Sequence, residues 1–259
     1  PRLLLTGAGG NLGQELRPRL KAYCDVLRVS HRRDLGPAAA GEEVQTASLE
    51  DAEHMLSLLD GVSAVVHMGG VSTEQPWAPI LAGNIVGMVN LYEAARLKGV
   101  KRIVFASSNH VTGFYRQDEV VNTRMPPKPD GFYGLSKAFG EDLAQLYWDR
   151  WGIETVSIRI GSLFPEPVDR RMMASWISLD DFDALLHGCL FTPDVGHTVV
   201  YGVSANRDTW WDNRYAAHLD FVPKDSSERF REKLEAQPKP AADSPEARYQ
   251  GGAFTAAGP

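Results

Sequence analysis

Short apolar runs alternate with longer amphipathic runs over the first two thirds of the chain. Strands of a buried sheet appear in a sequence as short apolar runs, and surface helices as apolar positions three and four residues apart. The predicted strands are residues 3–5, 26–29, 62–67, 103–106 and 153–160, and the predicted helices are residues 11–22, 84–98 and a longer one that follows Pro129-Asp130 and ends near 151.

This alternation predicts an α/β protein with a Rossmann-type doubly wound parallel sheet, because helices that follow strands cover both faces of such a sheet. The alternation of strands and helices ends after Gly161. The rest of the chain is predicted to contain one helix near 180–191, one strand near 198–202 and an irregular tail at 237–246. We expect residues 1–161 to form a dinucleotide-binding Rossmann domain. Residues 162–259 are expected to pack on the same domain as a small C-terminal substrate-capping region.

Composition and charge exclude several classes of function. The 259 residues carry a net charge of -6 and are 43% hydrophobic and 23% charged, as in an ordinary globular protein. The basic pairs Arg32-Arg33 and Arg170-Arg171 are too short to hold a polyanion, so we expect no nucleic-acid partner. No apolar run is long enough to span a membrane. We expect a cytoplasmic protein without a signal peptide, with Cys24 and Cys189 as reduced thiols and without a metal site.

A glycine-rich motif stands between the first predicted strand and the first predicted helix. Its sequence is Thr6-Gly7-Ala8-Gly9-Gly10-Asn11-Leu12-Gly13. Glycines spaced in this way allow a tight turn and the close approach of a pyrophosphate, which the free N–H groups and dipole of the helix attract. The alternative is a purely structural turn, but the position after the first strand of an alternating chain favours dinucleotide binding.

Tyr133 and Lys137 are four residues apart on a predicted helix and therefore lie on one face. A nearby ammonium group favours the phenolate form of tyrosine. Free tyrosine titrates at about pH 10, so a base that works near neutrality needs a pKa lowered by about three, roughly 4 kcal/mol. We expect Lys137, the positive nicotinamide ring and a hydroxyl donor to lower it together. Taken alone, the two residues are better explained as an ordinary surface pair, because such pairs are frequent.

Small polar side chains follow the predicted strand at 103–106. They are Ser107, Ser108, Asn109 and His110. At the carboxyl edge of a parallel sheet, a hydroxyl can hold a substrate oxygen while another group removes its proton. The alternative is a polar strand end whose side chains make only turn hydrogen bonds.

The order of these three motifs resembles that of the extended short-chain dehydrogenase/reductase superfamily, and so does the helical segment at 83–96. Within this superfamily the chain resembles the uronate dehydrogenase family over nearly its whole length. The segments that carry this closer resemblance are 105–110, 133–137, 159–162, 165–167, 171–172, 204–206, 210–213 and 249–252. The later segments are the specific ones, since sugar-nucleotide epimerases of the same superfamily lack them.

The resemblance implies an oxidoreductase that acts on a small sugar acid. Its reaction would oxidise the anomeric carbon, C1, of D-glucuronate or D-galacturonate to an aldarolactone, with hydride transfer to a nicotinamide cofactor. By the same resemblance, Tyr133 removes the C1 hydroxyl proton, Ser108 hydrogen-bonds that oxygen, and Lys137 binds the nicotinamide ribose. Arg171 is the expected partner of the C6 carboxylate. The implied substrate-binding residues are Ser72, Ser108, Asn109, His110, Tyr133, Ser162 and Arg171.

NAD is the cofactor that the resemblance implies. The implied cofactor-binding residues are Gly7, Gly9, Gly10, Asn11, Leu12, Gly13, His31, Arg32, Ser48, Leu49, Met68, Gly69, Gly70, Asn84, Tyr133, Lys137 and Ile160. NAD-specific relatives usually have an acidic residue where this chain has His31, and Asp is common where it has Ser48. Because Arg32 and Arg33 follow His31, we also expect use of NADP.

Two other functions fit the same fold. An epimerase, dehydratase or reductase of nucleotide sugars would usually need a larger C-terminal domain than the residues after Lys137 provide. A non-catalytic dinucleotide sensor would be marked by loss of Tyr133 or Lys137, and both are present. We therefore expect a uronate dehydrogenase that forms homo-oligomers, as its relatives do.

Overall fold

A central sheet of seven parallel strands organises the computed structural model, which describes residues 1–259. The strands in chain order are β1 (Arg2–Thr6), β2 (Val26–His31), β3 (Glu42–Thr46), β4 (Ala64–His67), β5 (Arg102–Ser108), β6 (Val121–Asn122), β7 (Glu154–Ile160), β8 (Ser162–Leu163), β9 (Trp176–Ile177), β10 (His197–Gly202) and β11 (Trp211–Asp212). The sheet has the order β10-β7-β5-β4-β1-β2-β3, while β6 pairs with β11 and β8 with β9 in two small sheets.

Helices cover both faces of this sheet. In chain order they are α1 (Asn11–Leu20), α2 (Ala52–Leu58), α3 (Trp77–Ile80), α4 (Gly87–Lys98), α5 (Phe132–Trp151), α6 (Met172–Ser175), α7 (Leu179–Phe191), α8 (Arg231–Glu235) and α9 (Pro245–Arg248). A π-helical turn, Leu81–Val86, leads into α4, and 3₁₀ turns lie at Lys21–Tyr23, Asn109–Thr112, Arg214–Leu219, Ser227–Phe230 and Gly252–Ala256.

The side chains of β1 show how the two hydrophobic layers arise. Successive residues of a strand point to opposite faces. Leu3 and Leu5 belong to a buried cluster that contains residues of α1 and α7, whereas Leu4 belongs to a second cluster with residues of α2, α4 and α5. The strands are buried on both faces, so their apolar runs are nearly continuous. This arrangement confirms the predicted doubly wound parallel sheet.

The sheet reverses its order between β1 and β4, which are neighbours although two other strands separate them in sequence. A crevice opens at such a point, beyond the carboxyl ends of the strands, and ligands of doubly wound sheets bind there. The loops that follow β1, β4, β5 and β7 all reach this edge. They contain the glycine motif and most of the polar residues selected from the sequence.

The predicted elements are present, with ends that differ by a few residues. β3 is the one strand of the main sheet that was not predicted, and α2 was not predicted either. The two-residue strands β6, β8, β9 and β11 and the short helices α3, α6, α8 and α9 were also missed. β3 is a partly exposed edge strand that reads Glu-Glu-Val-Gln-Thr, so it has no apolar run. The predicted helix at 84–98 begins within the π-helical turn and continues as α4, which ends at Gly99 with a φ of 74°.

Residues 162–259 contribute to the same layers as the first part of the chain. β10 extends the sheet beside β7, and α7 packs on one face of it. The hydroxyl of Ser178 accepts from the N–H of Asp181 and so caps the start of α7. Trp211 is buried beside Tyr201. No helix is both long and apolar enough to cross a membrane.

Candidate active site

The loop between β1 and α1 has a shape that only glycine permits at its main positions. Gly7 has a φ of 69°, and a Cβ there would lie 2.6 Å from the carbonyl oxygen of Met68. A Cβ on Gly13 would collide with the carbonyl oxygen of Gly7. No side chain caps the amino terminus of α1, which begins at Asn11. An open helix terminus beside a glycine turn binds a pyrophosphate, so the loop fits NAD.

His31 lies at the end of β2, at the end of the crevice that the family resemblance assigns to adenosine. A Cβ on Gly9 would come within 2.9 Å of the His31 ring, so the imidazole lies across the glycine loop. Burial and the nearby Arg33 and Arg32 lower the pKa of His31. The ring is therefore neutral near neutral pH, and the positive charge at this end comes from the two exposed arginines.

The loop after β4 closes the other side of the crevice. The hydroxyl of Thr6 accepts from the N–H of Gly69 at 3.1 Å and lies 2.7 Å from Nδ1 of His67. These contacts join the ends of β1 and β4, between which the sheet order reverses. Leu49 packs near Gly69, since a Cβ on that glycine would lie 3.1 Å from its side chain. Ser48, just before it, accepts from the N–H of Glu50.

Asn84 anchors the same loop from the π-helical turn. Its Oδ1 accepts from the N–H of Val71 at 2.7 Å, and its Nδ2 donates to the carbonyl oxygen of Val71 and the hydroxyl of Ser136. Both polar atoms of the side chain therefore form hydrogen bonds within the protein. Any effect of Asn84 on a cofactor is thus exerted through the loop that begins at Gly70.

Tyr133 and Lys137 lie together on the first turns of α5, both buried. Burial raises the pKa of Tyr133 to about 12, while the Ser108 hydroxyl acts in the opposite direction. Burial also lowers the pKa of Lys137 to about 8, and its ammonium group donates to the carbonyl oxygen of Ala106 at 2.7 Å. The sequence reasoning started from free tyrosine and relied on Lys137. In the structure burial raises the pKa of Tyr133 instead. A base that works near neutrality therefore needs this pKa lowered by about five, roughly 7 kcal/mol.

Glu74 holds the start of α5 in place, a contact that no sequence pattern indicated. Its two carboxylate oxygens accept from the free N–H groups of Phe132 and Tyr133 at 3.0 and 2.8 Å. An anion at this end of a helix is also favoured by the helix dipole. Ser72 lies between Glu74 and Val71, both of which are anchored, and is itself exposed. The loop thus keeps Ser72 near the start of α5.

A buried ion pair ties α5 to the sheet one turn beyond Lys137. Nε and Nη2 of Arg159 donate to the two carboxylate oxygens of Glu141 at 2.9 and 2.8 Å. Ser107 donates to the same carboxylate, and Nη1 of Arg159 donates to the hydroxyl of Tyr201. Because both charges are buried and paired with hydrogen bonds, the network fixes the helix that carries the tyrosine against the strand that carries Ser108.

Arg171 lies at the centre of the polar cluster beyond β5 and β7. Its guanidinium donates to Gln250 O at 2.6 Å and Asn109 Oδ1 at 2.7 Å, and more weakly to the hydroxyls of Ser162 and Ser175. None of these partners is charged. Burial lowers the pKa of Arg171, while the negative charges of Asp169 and Asp130, which are near but not hydrogen-bonded to it, act in the opposite direction. A partly buried guanidinium whose partners are all neutral is prepared to bind an anion.

Taken alone, the sequence Arg170-Arg171 indicates a solvated surface pair, but Arg170 is not solvated in this way. Its guanidinium donates to the carbonyl oxygens of Glu235 and Gln237. Arg170 therefore holds the tail after α8 against the loop before α6. The cause of the error is a contact more than sixty residues away in sequence, which no local pattern reveals.

His110 faces the same cluster from the 3₁₀ turn after β5. Its Nδ1 lies 2.6 Å from Oδ2 of Asp130, and its ring stacks on Phe254 with a centroid distance of 3.8 Å. The amide of Asn109 donates to the carbonyl oxygen of Ile160, which joins this turn to the end of β7. Most of the predicted catalytic and substrate residues thus converge on one edge of the sheet. The sequence reasoning missed Glu74, Asp130, Glu141 and Gln250, whose partners are distant in sequence.

Comparison with known proteins agrees with this geometry. Residues 3–179 match the NAD dependent epimerase/dehydratase family. The chain belongs to that family, whose parallel sheet and glycine loop it has.

The relatives define its place within the family. A uronate dehydrogenase from Pseudomonas putida is 60% identical over 259 residues, covering 100% of this chain and 97% of that protein. A second one, from Agrobacterium fabrum, is 46% identical over 254 residues, covering 98% of this chain and 96% of that protein. The chain is therefore a member of the uronate dehydrogenases.

Solved structures give the same result. A crystal structure of glucuronic acid dehydrogenase from Chromohalobacter salexigens matches with a TM-score of 0.97 at 50% identity, covering 99% of this chain and 97% of that chain. A tyrosine-to-alanine variant of uronate dehydrogenase from Agrobacterium tumefaciens, complexed with NAD, matches with a TM-score of 0.96 at 45% identity, covering 98% and 97%.

Proposed function

We propose that the protein oxidises C1 of a cyclic hexuronic acid, D-glucuronate or D-galacturonate, to the aldarolactone with NAD as the oxidant. Arg171 is the observation that carries this proposal. It is a guanidinium with only neutral hydrogen-bond partners, one of them Asn109, the residue after the predicted catalytic Ser108. A substrate with a carboxylate would supply a charged partner in direct contact, whereas a neutral sugar would leave the guanidinium without one.

In this proposal Tyr133 is the base. As the phenolate, it takes the proton of the C1 hydroxyl, and the Ser108 hydroxyl hydrogen-bonds the same oxygen. Oxidation leaves C1 double-bonded to that oxygen in the lactone. Bound NAD supplies the acceptor for the C1 hydride and a positive charge on its ring. Lys137, already fixed by Ala106, is placed to bind the nicotinamide ribose and to lower the pKa of Tyr133 further.

The remaining predicted residues have supporting roles. Ser162, Asn109 and Arg171 form one hydrogen-bonded group for the C6 end of the sugar, while His110 and Ser72 contact its hydroxyls. The glycine loop holds the pyrophosphate. Arg32 and Ser48 lie at the adenosine end of the crevice, and Gly70 and Ile160 at the nicotinamide end. Residues 162–259 complete this site while folding as part of the Rossmann domain.

The adenosine end supports use of NADP besides NAD. The first acidic residue after β2 is Asp34, whose carboxylate accepts from the N–H of Gly36. A 2′-phosphate therefore meets no acidic anchor at His31 and finds two exposed arginines, Arg32 and Arg33. We expect measurable activity with NADP. The idea fails if kcat/KM for NAD exceeds that for NADP by more than about a thousandfold, roughly 4 kcal/mol.

The surface and the thiols support two further assignments. Val89 on α4 and Val86, at the end of the π-helical turn before it, are exposed apolar residues, and so are Leu135 and Leu146 on α5, which packs against α4. We propose that a second copy of the chain covers them in a homo-oligomer, which light scattering coupled to gel filtration tests. Glutamate in place of Val89 should then yield monomers. The free thiols Cys24 and Cys189 are consistent with a cytoplasmic protein.

A single assay tests the proposed reaction against its alternatives. The near-ultraviolet absorbance of reduced nicotinamide is followed with glucuronate, galacturonate, glucose and a nucleotide sugar, each with NAD and with NADP. We expect turnover of at least one uronate and poor turnover of glucose. Turnover of the nucleotide sugar alone would support the epimerase-like alternative. Cofactor binding without any turnover would support the sensor.

A further inference from the structure

His110 and Asp130 form a buried pair beside the substrate site. Nδ1 of His110 and Oδ2 of Asp130 are 2.6 Å apart, and the two residues are 8% and 4% exposed. The backbone N–H of Asp130 also donates to the carbonyl oxygen of His110 at 3.3 Å. The two contacts fix the turn after β5 relative to the start of α5.

Three chain segments leave room for the Asp130 carboxylate. A Cβ on Gly113 or on Gly251 would collide with this carboxylate, and a Cβ on Gly134 would lie 3.2 Å from its Oδ1. Oδ1 is buried and makes no hydrogen bond. Burying a carboxylate with one oxygen unpaired costs free energy, and the cost is larger next to a site for an anionic substrate. A role in packing alone would be met better by an uncharged side chain.

The groups around the imidazole determine its protonation. Burial lowers the pKa of His110; Asp130 opposes this change, Arg171 adds to it, and Glu74 also opposes it. Phe254 covers one ring face and Tyr133 approaches with its edge at a centroid distance of 6.0 Å. The ring is therefore neutral near neutral pH. A carboxylate can only accept, so the hydrogen of a neutral ring must be on Nδ1.

We propose that Asp130 is a positioning residue that holds His110 in the Nδ1–H tautomer, so that Nε2 accepts a hydrogen bond from a hydroxyl of the sugar ring. The proposal rests on the proposed uronate oxidation. A ring hydroxyl has a hydrogen to donate, whereas the ionised C6 carboxylate has none. His110 therefore selects the hydroxyl side of the substrate and repels the carboxylate, which Arg171 binds. The two residues together determine which way round the sugar enters.

The wild-type protein provides the first test, which needs no substrate. Nitrogen-15 NMR of the histidine side chains distinguishes a protonated ring nitrogen from one with a free lone pair, and H110A assigns the signals. At neutral pH, Nδ1 of His110 should be protonated and Nε2 unprotonated. A hydrogen on Nε2, in either the other tautomer or the imidazolium, would overturn the proposal.

A double-mutant cycle provides the second test. D130N should lower kcat/KM for the uronate by about 10- to 100-fold, mainly through KM, because the charged acceptor of a hydrogen bond is lost. The Kd for NAD should not change. The variant that combines H110A and D130N should be no worse than H110A, since Asp130 acts through His110. Losses that multiply, or full activity of D130N, would contradict the proposal.

The two tests separate this inference from the proposed function. If the wild-type protein oxidises no uronate, the proposed function fails, while the tautomer measurement still decides the role of Asp130. If uronate oxidation is confirmed and the tautomer is wrong, only the positioning role fails.

Discussion

In the proposed function, Arg171 is the group that distinguishes a uronate from its parent sugar, so replacing it by alanine should remove this distinction. In the structure the guanidinium has only neutral partners, two of them at 2.6 and 2.7 Å, so a bound carboxylate would be its first ionic partner. Loss of one member of a desolvated charge pair costs about 2–5 kcal/mol. We therefore expect kcat/KM for glucuronate to fall roughly 30-fold to several-thousandfold.

The assay compares glucuronate with glucose, which has the same ring without the C6 carboxylate. Wild-type protein should strongly prefer glucuronate, and Arg171→Ala should lose most of this preference because both substrates then lack the contact. Arg171→Lys should be impaired less, since a lysine retains the charge but cannot form two parallel hydrogen bonds. The temperature of unfolding is measured in parallel, because Arg171 also binds Gln250 of the C-terminal segment.

Arg170 is the matched control. Its guanidinium binds the backbone at Glu235 and Gln237, so Arg170→Ala should change stability more than the preference for glucuronate. If neither variant alters that preference, the carboxylate is bound elsewhere and the uronate proposal loses its physical basis. If Arg170→Ala abolishes the preference and Arg171→Ala retains it, the two arginines have been assigned in the wrong order.

Three further substitutions test the catalytic helix. Tyr133→Phe should retain NAD binding and lose at least about 100-fold in kcat, as expected for a missing base, and turnover within tenfold of wild type would exclude this role. Lys137→Ala should weaken NAD binding and move the rise of activity to higher pH, because loss of a positive charge raises the pKa of Tyr133; an identical pH profile would mean that Lys137 does not influence the tyrosine. Glu141→Gln leaves buried Arg159 without a counter-charge and should lower the free energy of unfolding by about 3–5 kcal/mol, measured by denaturant titration; a change below about 1 kcal/mol would contradict a structural role for this pair.

The sequence was most informative where contacts are local. Gly7 and Gly13 lie within one turn, and Tyr133 and Lys137 within one helix, so spacing alone placed them correctly relative to each other. β3 and α2 were missed because the edge strand is largely polar and the helix is only seven residues long. Such elements contain too few apolar positions for a helical or strand period to be recognised.

Contacts between distant segments account for what was missed in the site. Glu74 binds the start of α5 from a loop almost sixty residues earlier, and Asp130 was noted only as part of the signal that precedes this helix. Lys137 was predicted to act on Tyr133 directly, yet the depth of burial, which a sequence does not give, dominates the pKa values of both. Their mutual spacing was predictable, whereas their electrostatic state was not.

The position of Gln250 and Phe254 has a consequence for how active molecules are counted. The glycine loop is held by neighbours within the first part of the sheet. In contrast, Arg171 donates to Gln250, which is seventy-nine positions further along the chain, and His110 stacks on Phe254. Contacts between distant residues form late and are costly in chain entropy. If this segment were not packed against the sheet in some of the molecules, all molecules would still bind the cofactor, but those molecules could not bind the sugar. Concentrations of active sites should be determined by titration with a uronate, because titration with NAD would overestimate them.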